Sequence, residues 1–341
     1  MNPFYLDILE QPRALRALAD YYARGEGAAR LAAAPRPHTP ILTGMGASFH
    51  AAWIATQHLH ALGIPAWCTE ATDLLYYGGA LLHAHSQLVF VSQSGASAEV
   101  APILERLPDG ATLMAVTNDP HSPLARRAQV VLPLLAGAET TVATRTYLNS
   151  LAVLWLLARQ WGDVRDGHEA AALSRVITES ERLLAHADTL VEHWLEVLDG
   201  TATLLFLGHG PHAATARQAA MMVSEWVKAP ALSASIGAFR HGFIEIAGPG
   251  LGAVVFAAPG RSAGSARALA RELASYGARV LMVENGSRRG WDEVPAEATD
   301  RDEFLSPVLD IIPAQLFVEA LARRHNIAPG FRYISKVVTQ V

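Results

Sequence analysis

Short apolar runs that end at glycine- or serine-rich turns, each followed by a stripe of helical spacing, recur along the chain. Ile41-Leu42-Thr43 stops at Gly44-Met45-Gly46 and gives way to Ala47-Ser48-Phe49-His50-Ala51-Ala52. Leu204-Leu205-Phe206-Leu207 stops at Gly208-His209-Gly210 and gives way to Pro211-His212-Ala213-Ala214. Leu88 to Val91 runs into Ser92-Gln93-Ser94-Gly95-Ala96-Ser97; Val100, Ile103, Leu104 and Leu107 then fall on one helix face, and a strand follows over Leu113 to Thr117. Its counterpart is a strand over Ala253 to Ala257, a turn over Pro259 to Gly264, a helix over Ser265 to Tyr276 and a strand over Arg279 to Val283. Strands alternating with helices at this spacing predict parallel sheets covered on both faces. The expected fold is α/β: two tandem units, each a three-layer αβα sandwich, related by a pseudo-twofold. The expected division is an N-terminal helical segment over 1–34, a first unit over 35–165, a helical linker over 166–195, a second unit over 196–325 and a tail over 326–341.

Composition narrows the function classes. With 341 residues, 51% hydrophobic and 17% charged, the chain is long enough for two ordinary domains with substantial cores. A net charge of -5 and no basic run longer than Arg323-Arg324 argue against nucleic acid as a partner. The longest apolar stretches, such as Leu151 to Ala158, are too short to span a bilayer, and the N-terminus lacks the pattern of a signal peptide. Cys68 is the only cysteine, which excludes a disulfide framework and a thiolate metal cluster. The fourteen histidines include His58-Leu59-His60, His83-Ala84-His85 and His209-x-x-His212, but none shows helical i, i+4 spacing with a carboxylate, so no metal site is expected. Trp53, Trp67, Trp155 and Trp226 read as core or interface residues. A cytoplasmic protein that meets no membrane is the expectation.

The serine-rich turn carries the first chemical signal. Backbone N–H groups at a strand-to-helix turn, beside the hydroxyls of Ser92, Ser94 and Ser97, form an anion site suited to phosphate. Ordinary capping of the following helix is the competing account. The second unit has Ala258-Pro259-Gly260-Arg261-Ser262 at the matching turn, so the hydroxyls are concentrated in one copy. Gly44-x-Gly46 lacks the third glycine of a dinucleotide fingerprint, and Glu70, the nearest acidic candidate, is followed by Ala71-Thr72-Asp73, so no nicotinamide or other cofactor is expected.

These segments, taken in order, resemble the sugar isomerase (SIS) domain family, in particular the isomerase half of glucosamine-6-phosphate synthase and stand-alone phosphosugar isomerases and deaminases. Leu9-Glu10-Gln11-Pro12 is similar to the family's leading helix motif, and Gly46-Ala47-Ser48-Phe49-His50 to its Gly-Thr-Ser-Tyr-His turn. Ser92 to Ser97 resembles its Ser-Gln-Ser-Gly-Glu-Thr loop, Val142-Ala143-Thr144 its Val-Ala-Ser, and Ile334-Ser335-Lys336-Val337-Val338-Thr339 its tail. The resemblance implies that Ser92, Gln93, Ser94 and Ser97 hold a sugar 6-phosphate, with Ser48 reaching in from the first turn and Gly46 and Thr144 flanking the sugar. Helix capping is an equal account of Ser48 and Thr144.

The same resemblance offers Glu225 as proton carrier, Lys336 as the amine at the ketose carbonyl and His241 as the ring-opening residue. His241 would be contributed across a homodimer. Glu225 lies in an apolar helical stretch, Ala219 to Val227, where burial would raise a carboxyl toward general-base use; a solvated glutamate near Lys228 is the plain alternative. A surface lysine on an edge strand and a turn histidine are the plain alternatives for Lys336 and His241.

Departures from the pattern cluster near the chemistry. Gln218 and Met222 stand where the synthase has a glutamate and a lysine, and Ala96 replaces the acidic residue of the loop. Arg145-Thr146 replaces Thr-Lys, and Ala238 and Phe243 flank the His-Gly turn. No glutaminase half or nucleophilic N-terminal cysteine is expected before the first unit. The expected function is therefore a phosphosugar isomerase or deaminase acting on a hexose or amino-hexose 6-phosphate, without glutaminase activity. A sugar-phosphate sensor and a deglycase of an amine-sugar phosphate are the alternatives.

Overall fold

The computed structural model describes residues 2–257, 260–284 and 302–338. The first sheet contains β1 (Ile41–Gly44), β2 (Trp67–Glu70), β3 (Gln87–Val91), β4 (Thr112–Thr117) and β5 (Val130–Pro133), in the order β2-β1-β3-β4-β5. The second contains β6 (Thr203–Gly208), β7 (Leu232–Ser235), β8 (Leu251–Phe256) and β9 (Arg279–Val283), in the order β7-β6-β8-β9. All seven strand pairings among the described residues are parallel. The fold class expected from the alternating pattern is therefore present in both halves.

The central strands are the ones that the apolar runs mark. Leu88 to Val91, Leu113 to Val116 and Ala253 to Phe256 are almost wholly buried, as two covered faces require. The edge strands β2 and β7 escape a pattern reading because they are short and of mixed polarity, with Trp67 and Leu232 exposed. Glu70 closes β2 and directly precedes the helix Ala71–Tyr76. The apolar stretch at Leu151 to Ala158 belongs to the helix Arg145–Trp161, buried on nearly every side, which explains its hydrophobicity without a bilayer. Among the described residues no helix is long and apolar enough to cross a membrane.

Contacts divide the chain into two compact units. One holds the first sheet and comprises residues from Arg13 to Ser174 together with those from Arg332 on; the other holds the second sheet, residues up to Pro12 and those from Arg175 to Phe331. In the first-sheet unit, Leu88, Phe90, Leu113 and Ala115 pack with Val100, Ile103 and Leu74 from the covering helices. In the second-sheet unit, Leu205, Leu207, Ala253 and Val255 pack with Leu269, Leu273 and Phe239. The first residues of the chain are anchored in this second unit: Phe4 lies 4.8 Å from Trp226, and Asn2 donates to Glu319 at 2.9 Å. Between the helix Arg145–Trp161 and β6 the chain forms two further helices, Glu169–Ala185 and Ala187–Leu198.

In each sheet the chain moves outward from the first strand in one direction and then the other. β1 is flanked by β2 and β3, and β6 by β7 and β8. Such a reversal opens a crevice beyond the carboxyl ends of the two central strands, where open α/β sheets bind ligands. The turns after β1 and β3 lie at that point.

Candidate active site

Two glycines set the shape of the crevice in the first-sheet unit. A Cβ on Gly44 would lie 2.7 Å from the Val91 carbonyl oxygen and 2.9 Å from Ser48 Cβ, so the end of β1, the end of β3 and Ser48 meet at this glycine. Gly46 has φ 52° and ψ −123°, a conformation that leaves the turn to glycine. Ser48 follows in the first turn of the helix Ala47–Ala61, half-buried, and the N-cap position itself is Gly46.

The Ser92–Ser97 loop is built by its own hydroxyls. Ser92 Oγ accepts from the Gly95 N–H at 3.1 Å, and Ser94 Oγ accepts from the Ala96 N–H at 3.2 Å. On the β4 side, the Gln93 carbonyl accepts from Asn118 N–H and the Gly95 carbonyl from Leu124 N–H. Gly95 has φ +59°, and a Cβ there would lie 2.1 Å from Ser122 Oγ. The helix that follows is Val100–Arg106, and its N-cap residue is Glu99, with no side-chain capping bond. The serines therefore shape the loop and do not cap the helix, a different outcome from the capping account.

Lys336 is brought to this loop by the tail. The Val338 carbonyl accepts from the Ala98 N–H at 3.0 Å, one residue past Ser97. Two residues earlier, Lys336 Nζ donates to Glu139 Oε2 at 2.9 Å and to the Thr141 carbonyl at 2.6 Å. Glu139 is enclosed, its side chain 0% exposed beside 20% for Lys336. Its Oε1 accepts from the Thr144 N–H and hydroxyl at 2.9 and 2.7 Å and from the Thr146 N–H at 3.3 Å, and Oε2 also accepts the Thr146 hydroxyl. Burial by itself pushes this carboxyl up; the Lys336 ammonium and the bonds from Thr146, Lys336 and Thr144 prevail and hold it below the ordinary carboxylate range. Thr144 occupies the N-cap position of the helix Arg145–Trp161 but gives its hydroxyl to Glu139 and not to the helix.

Glu139 and Thr146 are the residues that sequence reasoning missed. The signal was present: a single acid among Thr140, Thr141, Thr144 and Thr146, just before the Val-Ala-Thr motif. The loop that carries it is fixed from both sides. Asn118 receives the Ala136 N–H at 2.9 Å and donates to the Gly137 carbonyl at 2.7 Å, while Arg145 donates to the Ala138 carbonyl.

Glu225 and His241 belong to the second-sheet unit. The α-helix expected through Val227 ends at Met222, and Glu225 lies in a π-turn, Val223–Val227, that ends at Lys228 in the left-handed region with φ 62°. Lys228 Nζ donates to the Glu225 carbonyl and, at 2.8 Å, to the Gly330 carbonyl, and lies 5.8 Å from the Phe331 ring. Such a turn re-aims a side chain, here a half-buried carboxylate, and recurs at functional sites. His241 ends the helix Ile236–Arg240 and is exposed, followed by Gly242 at φ 146°. Gln218 and Met222, two of the departures, are both 0% exposed and lie within the packing of the helix Pro211–Met222.

The class these features define is a parallel α/β unit with a hydroxyl-lined loop at its strand-order reversal. Residues 36–159, which span β1 to β5, the serine loop and Glu139, match the family model of the SIS domain. The chain is 27% identical over 330 residues to the glutamine–fructose-6-phosphate aminotransferase (isomerizing) of Streptococcus pneumoniae strain R6, covering 92% of this chain and 54% of that protein. It thus spans about half the length of the curated relatives that it matches. Among solved structures, its fold is similar to the C-terminal domain of glucosamine-fructose-6-phosphate aminotransferase from Francisella tularensis, at 18% identity, TM-score 0.82, 94% of this chain and 96% of that one. It is also similar to glucosamine-6-phosphate deaminase from Thermotoga maritima, at 19% identity, TM-score 0.80 and 99% of both chains.

Proposed function

We propose that this protein is an enzyme acting on a hexose or amino-hexose 6-phosphate, an aldose–ketose isomerase or an amino-sugar-phosphate deaminase. One observation carries the reading: the tail is hydrogen-bonded to the end of the serine loop, so that the Lys336 amine and the loop's hydroxyls belong to one compact unit. A phosphate dianion accepts hydrogen bonds from Ser92, Ser94 and Ser97, from Gln93 and from Ser48. Gly46 and Thr144 flank the sugar, and Lys336 meets the carbonyl end. Glu225 moves the proton between C1 and C2, a role suited to a half-buried carboxylate on a π-turn. His241, exposed on its own unit, assists ring opening from the neighbouring subunit of a homodimer. The names of the similar proteins, an isomerizing aminotransferase and a deaminase, support a substrate of this class.

The test is binding followed by turnover. Fructose 6-phosphate, glucose 6-phosphate and glucosamine 6-phosphate are screened by thermal shift, and each binder is followed by proton NMR for conversion or ammonia release. Glu225→Gln is expected to abolish conversion while leaving the thermal shift in place. Normal turnover by that variant removes Glu225 from the mechanism, and binding without conversion of any candidate favours a sugar-phosphate sensor.

A further inference from the structure

We propose that Thr117, a wholly buried residue at the end of β4, is a positioning residue for the serine loop: its hydroxyl fixes the Gln93–Ser94 peptide so that the Ser94 N–H is turned toward β1 as a donor to phosphate. The inference rests on the phosphosugar reading above and deepens it at the phosphate end.

The argument starts from the ladder between β3 and β4. Val91 pairs with Val116, and the Ser92 N–H donates to the Val116 carbonyl at 3.0 Å. Regular parallel pairing would next give the Asn118 N–H to the Ser92 carbonyl. Instead the Asn118 N–H goes one residue further, to the Gln93 carbonyl at 3.0 Å, and the Ser92 carbonyl accepts from the Gly95 N–H at 3.1 Å. The register slips by one residue where the turn begins. Thr117 holds the slipped arrangement, because its hydroxyl donates to the same Gln93 carbonyl at 3.3 Å and accepts from the Asp119 N–H at 3.3 Å. Its single O–H is thereby spent on the loop, and its side chain lies where no solvent reaches. The turn is seated tightly on it, since a Cβ on Gly95 would lie 3.1 Å from Thr117 Oγ1.

A peptide group is planar and trans, so its C=O and N–H point in opposite directions. Both donors to the Gln93 carbonyl come from the end of β4, so the Ser94 N–H points to the other side. In the order β1-β3-β4 that side is β1, where Gly44 meets Ser48. The Gly95 and Ala96 N–H groups are used within the loop, on Ser92 and Ser94; among the described residues the half-buried Ser94 N–H donates to none. The anchored carbonyl also turns its negative end away from an incoming anion. The second unit lacks this device. There the Ala257 N–H donates to the Val283 carbonyl as Ser92 does to Val116, so Glu284 stands in the place of Thr117. Its carboxylate accepts from Arg267 at 2.6 Å and has no hydroxyl to give to a loop carbonyl.

The test uses the full chain and separates the phosphate end from the chemistry. Thr117→Val keeps the branched shape without the hydroxyl, and Thr117→Ser keeps the hydroxyl. Isothermal titration is run with fructose 6-phosphate and with inorganic phosphate, and KM and kcat are measured for fructose 6-phosphate. The Ser94 amide is followed in 15N-serine-labelled protein, assigned by its loss in Ser94→Ala. Valine should weaken the binding of both anions by about 10-fold and raise KM to match, with kcat held within about 2-fold and serine restoring affinity to within about 3-fold. In the wild type the Ser94 amide should move downfield as phosphate saturates the site. A folded valine variant that binds both anions like the wild type, a serine variant no better than valine, or a fall in kcat at unchanged KM overturns the assignment of Thr117. An unmoved Ser94 amide overturns it whatever the stability of the variants. Each of these leaves the phosphosugar reading standing, whereas wild-type protein that binds none of fructose, glucose and glucosamine 6-phosphate overturns that reading and this inference with it.

Discussion

The two units share a backbone plan and differ in what they place on it. Gly46 and Gly210 follow equivalent central strands with nearly the same dihedral angles, φ 52°, ψ −123° and φ 49°, ψ −121°. Two residues on, the first unit has half-buried Ser48, and the second has His212, wholly buried with Nε2 2.8 Å from Asp310 Oδ2. Gly95 and Gly260 occupy matching turns after β3 and β8. The first is packed against Ser122; a Cβ on the second would lie 3.4 Å from Glu303 Oε2. Around the second turn stand paired charges, with Arg267 on Glu284 at 2.6 Å and Arg261 near Glu303. One copy carries neutral hydroxyls at this turn, while the other carries acids and their arginine partners. Repetition of a fold therefore carries no repetition of its chemistry.

That contrast can be broken most severely at the glycines. Gly95→Ala forces a side chain into Ser122 at a left-handed position and should cost about 1–3 kcal/mol of backbone strain and abolish sugar-phosphate binding. Gly260→Ala is strained too, but should leave binding intact, as isothermal titration with fructose 6-phosphate will show. Next in size, Asp310→Ala should destabilise the protein by roughly 1–3 kcal/mol in urea melts, by stripping a buried histidine of its acceptor, with affinity unchanged. A double change, Ser94→Ala with Ser97→Ala, should weaken sugar-phosphate binding by about 10-fold or more, whereas Ser262→Ala in the second copy should have no effect.

The smallest effect separates the acids. Glu139 titrates below its ordinary value of 4.5, so its contribution to stability is present above that pH and is lost as pH falls through the depressed native value. Glu139→Gln should flatten the acid limb of stability measured by urea melts below pH 4.5. Glu303 is displaced upward by burial, against the pull of Arg261 and His212, so it favours the folded state when protonated and loses that contribution as pH rises through its native value. Glu303→Gln should therefore leave acid stability alone and raise it slightly near neutrality.

Much of this was legible in the chain because it is local. The strands β1, β3, β4, β6, β8 and β9 are apolar runs that end at turn residues, and the serine loop announces its donors in sequence. What escaped was set at long range. Glu139 gains its meaning from Lys336, far along the chain, and from threonines whose hydroxyls a local reading assigns to helix ends. The helix Pro307–Arg324 buries Asp310, Gln315 and Glu319, polar residues that pattern alone places on a wet face. Glu225 stands out in the sequence as a candidate, but its setting does not: an α-helical stretch and a π-turn share one composition, and Lys228 ends the turn through Gly330 and Phe331.

The exchange of chain ends has a practical corollary. The opening residues, through Pro12, are housed with the second sheet, while the stretch beginning at Arg332, with its ammonium, is housed with the first. Scission between Ser174 and Arg175 would leave each fragment carrying a piece that belongs to the other.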